Sequence, residues 1–363
     1  MKHLKTKWQF NQVCKMVNRG DIKEKSYTYK EIRELSKEGK PNRGKILTFI
    51  NQKGGVGKTL SALNTILTSH MKGRSVLGID IDGQANLSSR VCDKPYSVTL
   101  ADFVADVFHN EDRYDSIRDI STQLCDELFF IGSNSKVADL NSDLDRIFFD
   151  GPDSNRQIMR EEVTINKDII ISLMEKIGEV RDFIDLTVID ASPAKNTLNV
   201  FMICFSDLVV IPMGVDDFSM SGTEDLVATI HNICGILEVA VPTLRVLIND
   251  RDEDYEEMGF EERVVGIESM NLDSILKTKL SYNKYFKKSI QEKCPVWALS
   301  PKVSKLGLKF KNTKEEEKLY LIEAVDTILN LSDEIDEVLF SDNAKEAVKD
   351  DNEDESIIDA PAW

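Results

Sequence analysis

Residues 46–59 read Ile46-Leu47-Thr48-Phe49-Ile50-Asn51-Gln52-Lys53-Gly54-Gly55-Val56-Gly57-Lys58-Thr59. An apolar run enters a glycine-rich loop, and a helix-like pattern follows from about Leu60. Glycine adopts backbone angles closed to other residues, so the N–H groups along Gly54, Gly55, Val56 and Gly57 can converge on phosphate oxygens. The following helix adds the positive end of its dipole. In such a loop Lys58 reaches the β- and γ-phosphates, and the Thr59 hydroxyl ligates Mg²⁺. A tight turn accounts for most glycine runs taken alone. Strand, loop, Lys-Thr and helix in this order point instead to a nucleotide site.

Outward from this loop, apolar runs alternate with helical patterns. Strands are expected at 46–51, 75–80, 127–132, 185–190, 207–212, 243–248 and 274–280. Helices are expected at 58–72, 168–181, 219–236 and 315–340. This alternation predicts an α/β fold, a mostly parallel, doubly wound sheet flanked by helices, with ligands at the carboxyl ends of the strands. Residues 1–44 read as a basic helical extension, with a helix near 8–17 and a capping box of Thr28 and Glu31 opening a second. Residues 45–340 form the nucleotide-binding domain. Within it, 140–166 are polar and broken by Gly151-Pro152, an excursion from the core fold. Residues 341–363 read as a disordered acidic tail.

The 363 residues are 41% hydrophobic and 30% charged, the balance of a water-soluble globular chain. Six cysteines lie at least thirty residues apart, with no metal-ligand spacing, and the four histidines are scattered. A reduced, cytoplasmic setting is the expectation. Neither a signal-like apolar stretch at the amino terminus nor an 18-residue apolar run occurs, so no membrane association is expected. The net charge of −17 conceals opposed patches. Residues 1–45 hold 13 Lys/Arg against 5 Asp/Glu, and residues 277–311 hold 10 lysines against the single acid Glu292. Residues 341–363 hold 8 acids against 2 lysines. Local fields of this kind, rather than the total, select partners.

Two further segments carry chemistry. Asp80-Ile81-Asp82-Gly83-Gln84 follows the second strand, placing two carboxylates near the phosphate loop; an ordinary Asp/Gly turn is the bland alternative. Leu186-Thr187-Val188-Ile189 runs into Asp190, a strand-end carboxylate suited to the hydration shell of Mg²⁺, although Asp in that place also caps helices.

The string Lys53-Gly54-Gly55-Val56-Gly57-Lys58-Thr59, with its extra lysine at the front, resembles the deviant Walker motif of the ParA/MinD family of ATPases. Asp80-Ile81-Asp82-Gly83-Gln84, Ser206–Pro212, Phe218–Gly222 and Leu247–Arg251 resemble that family's segments too, so the likeness covers roughly 45–335. It implies an ATPase that dimerises with ATP and Mg²⁺, with Lys53 reaching across the dimer to the partner's nucleotide. By the same likeness Asp82 positions the attacking water, Asp80 supports Mg²⁺ through coordinated water, and Asn249 lies against adenine. The resemblance closest to this chain is the DNA-partition branch. That branch implies non-specific DNA binding at the nucleoid, here through Lys284, Lys287, Lys288, Lys302, Lys305, Lys309 and Lys311, and stimulation by a centromere-binding partner protein. A solvated helical face is the plain alternative for those lysines.

Departures accompany the likeness. Leu60 stands where many relatives have a second Thr, so Leu60 joins the nucleotide-contacting set without a hydroxyl for the α-phosphate. Gly83 replaces the usual Pro, and Ala191-Ser192 replaces the usual Thr-Pro. These leave the hydrolysis rate open. The alternatives are a MinD-like regulator at the membrane, which the acidic tail disfavours, and a nucleotide-dependent adaptor that does not hydrolyse. An iron–sulfur carrier would need cysteines that the chain does not place suitably.

The tail yields a test. Removal of 341–363 is expected to strengthen DNA binding at low salt, with the gain fading as salt rises, if the anionic tail competes for the basic segment. Unchanged affinity at low salt would leave a solvating or partner-docking tail.

Overall fold

The computed structural model describes residues 44–340 apart from 93–95, 110–112, 138, 141–175, 194–195, 238, 251–258, 268–269, 282, 293–294 and 300–314. The expected helices at 8–17 and after Thr28, the 140–166 excursion except its first residue, the tail, and Lys302, Lys305, Lys309 and Lys311 lie outside the described residues.

Eight described strands form one sheet: β1 (Lys45–Phe49), β2 (Val76–Asp80), β3 (Thr122–Cys125), β4 (Leu128–Ile131), β5 (Leu186–Asp190), β6 (Leu208–Gly214), β7 (Thr243–Asp250) and β8 (Leu280–Ser281). Their spatial order is β3-β4-β2-β5-β1-β6-β7-β8, parallel throughout except for the β3–β4 pair. The helices are α1 (Lys58–Met71), α2 (Ser88–Val91), α3 (Leu100–His109), α4 (Val180–Phe183), α5 (Thr197–Cys204), α6 (Asp217–Leu237), α7 (Phe260–Val265), α8 (Lys284–Gln291) and α9 (Glu315–Phe340).

The central strands are apolar along both faces because helices cover both. In β1, Leu47 and Phe49 face a cluster shared with Leu63, Ile66 and Leu67 of α1 and Val325, Ile328 and Leu329 of α9. Ile46 faces the opposite cluster, with Phe103 of α3, Met202 of α5 and Val227 of α6. The period of two along each strand therefore sorts its side chains into two separate cores.

Helix α9 seals the outer side of α1. Its buried positions Leu321, Val325, Ile328, Leu329, Ser332 and Ile335 recur at helical spacing. Lys72, just past α1, hydrogen-bonds Ser332 Oγ, Asp333 Oδ1 and Asp336 Oδ2, each at 2.8 Å. Arg74 pairs with Asp336 at 2.8 Å and stacks on Phe340, 4.6 Å from the ring centroid.

The sheet departs from the sequence reading at its edges. The strand expected at 274–280 is instead a 3₁₀ turn over Leu272–Ser274, a single bridge from Ile275 to Val246, and β8 at Leu280–Ser281. Asn271 redirects the chain: its side chain accepts the Ser274 N–H while the Ser274 hydroxyl serves the Asn271 N–H. Strand β3, α3, α5, α7 and α8 have no counterpart among the expected elements. Of the helix expected at 168–181, residues 168–175 are outside the described part and α4 begins at Val180.

Gly78 sits in β2 directly beneath α1. A Cβ there would lie 2.8 Å from both Ile66 Cδ1 and the Phe130 ring. Gly78→Ala is expected to cost about 1–3 kcal/mol through overpacking, read as a lower urea midpoint at an unchanged m-value.

Candidate nucleotide site

The loop between β1 and α1 closes over the carboxyl ends of β1, β2 and β5. Gly55 and Gly57 have φ of 77° and 99°, angles that let the chain turn its amides inward before α1 begins. Gly54 and Gly55 are exposed, whereas Val56 is buried and braces the loop from below. Leu60 is 8% exposed and packs in the core under α1, so only its backbone remains for a ligand. Asn51 ties the loop to the sheet: its Nδ2 donates to Pro212 O at 2.7 Å, and its Oδ1 accepts the Lys53 N–H at 2.8 Å.

Lys58 is buried, and its Nζ donates to Lys53 O at 3.0 Å across the loop. Burial lowers its pKa, against the opposing pull of Asp190 and Asp82. Asp190 ends β5 beside Phe49 of β1 and Asp80 of β2. It is 1% exposed, its Oδ1 has no hydrogen-bond partner, and the nearby Thr59 hydroxyl favours its charged form. Burial and then the Asp80 charge push its pKa well above the ordinary range, outweighing Thr59 and Lys58.

Asp80 is fully buried. Its Oδ2 accepts Ser88 N at 2.8 Å and Ser88 Oγ at 2.7 Å, and its Oδ1 accepts Asp82 N at 3.0 Å. Burial raises its pKa to about 6 despite those bonds. Asp82 is half-buried on the turn, where its Oδ1 accepts Gln84 N at 3.0 Å.

Asn249, at the end of β7, donates from Nδ2 to Val56 O at 2.7 Å. Its carboxamide nitrogen thus supports the tip of the loop. Leu280 of β8 presses on the same loop, its Cδ1 lying 3.1 Å from where a Cβ on Gly57 would stand. Lys53 is held by Asp216 Oδ2 at 2.7 Å and Ser219 Oγ at 3.0 Å. Burial disfavours the Asp216 charge, but bonds from Lys53 and Ser219 prevail and hold its carboxyl below the ordinary value.

Lys53, the loop glycines, Lys58, Thr59, Asp80, Asp82 and Asn249 thus surround one strand-end region with Asp190. Lys284, Lys287 and Lys288 sit apart from it on α8. Asn283 caps this helix by accepting Tyr285 N at 2.9 Å, and it holds α9 through Nδ2 to Tyr320 O at 2.7 Å. Lys284 and Lys287 are exposed, and Lys284 Nζ lies 5.5 and 5.6 Å from the centroids of Tyr285 and Tyr320. Three residues of the site escaped sequence reasoning. Ser88 and Asp216 carried as their signal a polar residue at the start of a helix, and Leu280 its place at the carboxyl end of the strand expected at 274–280.

The AAA domain family model (AAA_31) matches residues 44–242, more than half of the chain. The chain belongs to the ParA/MinD-type P-loop ATPases. It is 27% identical over 198 residues to the chromosome-partitioning ATPase Soj of Treponema pallidum, covering 54% of this chain and 68% of Soj. Curated relatives are matched over about two thirds of their own length. Among solved structures, apo McdA of Cyanothece superposes with a TM-score of 0.54 at 16% identity, covering 78% of this chain and 99% of McdA. A Borrelia burgdorferi structure described as a plasmid partition protein bound to AMPPNP gives 0.50 at 19% identity, covering 79% and 98%. At these identities the two structures bear on the fold alone, and this family member shares their mostly parallel sheet and flanking helices. No helix among the described residues is long and apolar enough to cross a membrane.

The Asp80 carboxyl sets a pH signature. Between its ordinary value of 3.8 and about 6, the native state holds a proton that the unfolded chain has released, so stability falls as pH rises through that window. Asp190 adds a slope of the same sign. Asp80→Asn is therefore expected to flatten the decline between about pH 4 and 6, measured as urea-unfolding free energies without nucleotide.

Proposed function

We propose that this chain is an ATP-hydrolysing partition switch: two copies assemble on ATP–Mg²⁺, bind DNA without base selection, and return to the ADP state when a DNA-bound partner protein stimulates hydrolysis. The observation that carries the reading is the convergence of Lys53, Lys58, Thr59, Asp80, Asp82 and Asp190 at the ends of β1, β2 and β5. Kinship with a chromosome-partitioning ATPase supports the choice of process.

The residues divide the work. Loop amides from Gly54 to Thr59 grip phosphate oxygens, and Lys58 exchanges the Lys53 carbonyl for phosphate. A triphosphate favours the charged form of Lys58 that burial disfavours, so binding strengthens the ion pair it creates. The donor set fits Mg²⁺: Asp190 presents a buried oxygen with no hydrogen-bond partner, next to the Thr59 hydroxyl. Thr59 and Asp190 would hold the metal, with Asp80 supporting it from further out, and its charge would neutralise the phosphate oxygens. Asp82, half-buried on its turn, orients the attacking water. No strong base is needed, because phosphoryl transfer depends mainly on positioning and charge. Lys53 completes the charge neutralisation from the partner copy.

The DNA surface rests on α8, where exposed Lys284 and Lys287 meet phosphates as point charges. The tyrosines beside Lys284 limit its wandering, which lowers the entropy lost on contact.

Lys58→Ala is expected to abolish tight ATP–Mg²⁺ binding, and Asp82→Ala to retain binding while slowing hydrolysis at least tenfold, about 1.4 kcal/mol in the barrier; equilibrium dialysis and phosphate release check each. Changing Lys284, Lys287 and Lys288 together to Glu should weaken DNA binding evenly across sequences and shallow its salt slope, with nucleotide affinity kept. DNA binding that ignores nucleotide, or ATP-selective binding to anionic liposomes in its place, would overturn the partition reading.

A further inference from the structure

Lys53 is secured at both ends within its own chain. Its backbone is pinned by Asn51 Oδ1 at 2.8 Å and by Lys58 Nζ at 3.0 Å. Its ammonium donates to Asp216 Oδ2 at 2.7 Å and Ser219 Oγ at 3.0 Å, and lies 5.9 Å from the centroid of the Phe218 ring. Asp216 is fixed in turn, its Oδ1 accepting Ser219 N at 2.9 Å and its Oδ2 accepting Ser219 Oγ at 2.7 Å. Gly214 makes room for this, since a Cβ there would stand 2.9 Å from Asp216 Oδ2. The whole arrangement joins the front of the phosphate loop to the first turn of α6, 163 residues later.

We propose that Asp216 is a positioning residue that parks Lys53 on its own chain, and that the nucleotide of a second copy must displace Asp216 before two copies assemble. The inference rests on the reading of Lys53 as a contact to the partner's nucleotide. An ammonium that extends to a partner's phosphates leaves the Asp216 carboxylate of its own chain, so each assembly event exchanges one ion pair for another. The Lys53 and Asp216 side chains are 35% and 45% exposed, open enough for an incoming phosphate to compete. A triphosphate offers more negative charge than a diphosphate, so the exchange favours ATP more than ADP. The parked pair thereby sets a threshold: it penalises assembly equally in both states, and the triphosphate overcomes it. Phe218, 75% exposed beside the same ammonium, lies on the face where the exchange occurs.

The test is the dimer dissociation constant of the full chain, from sedimentation with AMPPNP–Mg²⁺ and separately with ADP–Mg²⁺. Asp216→Asn removes the charge and keeps a side-chain oxygen to cap α6. Two lysines exchange per dimer, and a half-exposed pair is worth about two- to fivefold, so the constant with AMPPNP should fall about four- to twenty-fivefold. Dimers should also become detectable with ADP. Asp216→Glu should return the parental constants, and Ser219→Ala should give a smaller gain of the same sign. An unchanged or weaker Asp216→Asn dimer at the parental thermal midpoint would overturn the proposal; if that variant unfolds, the sign of the Ser219→Ala change decides. Lys53→Ala separates the two readings. Its normal dimerisation would remove the cross-subunit role itself, whereas lost dimerisation beside an unchanged Asp216→Asn would remove the parking role alone.

Discussion

Two carboxylates, Asp80 and Asp190, lie side by side at the ends of adjacent parallel strands, each almost wholly buried. Buried like charges are costly, and the cost appears as raised pKa values on both. Lys58 is a buried cation interacting with Asp190, and its own burial opposes its charge. The site is therefore electrostatically suited to a metal–triphosphate, which would bring positive charge to the carboxylates and negative charge to Lys58. Much of the surrounding architecture serves to hold this arrangement in place. Ser88 clamps Asp80, Asn51 anchors the loop to β6, and Asn249 braces its tip from β7.

How legible this was in the sequence depends on how local each cause is. The buried strands at 45–49, 76–80, 186–190, 208–214 and 243–250 fell within two residues of expectation because they are apolar on both faces. Helix α9 matched its expected 315–340 span, since a long amphipathic pattern survives any tertiary context. Strand β3 was invisible: Thr122-Gln123-Leu124-Cys125 is an edge segment whose strand state comes from pairing with β4. At 274–280 the apolar run was real, but Asn271 capped a turn and left one bridge and a two-residue strand.

The site divides in the same way. The phosphate loop, the Asp80/Asp82 pair and Asp190 were readable because each lies at the end of an apolar run. Asp216 was not, because its meaning depends on Lys53, 163 residues distant. Asn249 was singled out on a base-contact reading by resemblance, and the structure finds its amide supporting the loop. A pairing between distant residues leaves no trace in either local pattern; only the fold brings it into view.

The seal of α9 over α1 has a consequence for how the chain is made. Lys72 meets Asp333 and Asp336 across more than 260 residues, and Leu63, Ile66 and Leu67 find part of their cover on α9. During synthesis the helix behind the phosphate loop emerges early and waits, with one flank bare, until nearly all of the described chain has been translated. Contacts so distant along the chain form slowly, and the uncovered flank is sticky in the interval. A ribosome-bound intermediate of this protein thus carries an apolar flank on α1 that gains its α9 cover only late in synthesis of the described chain.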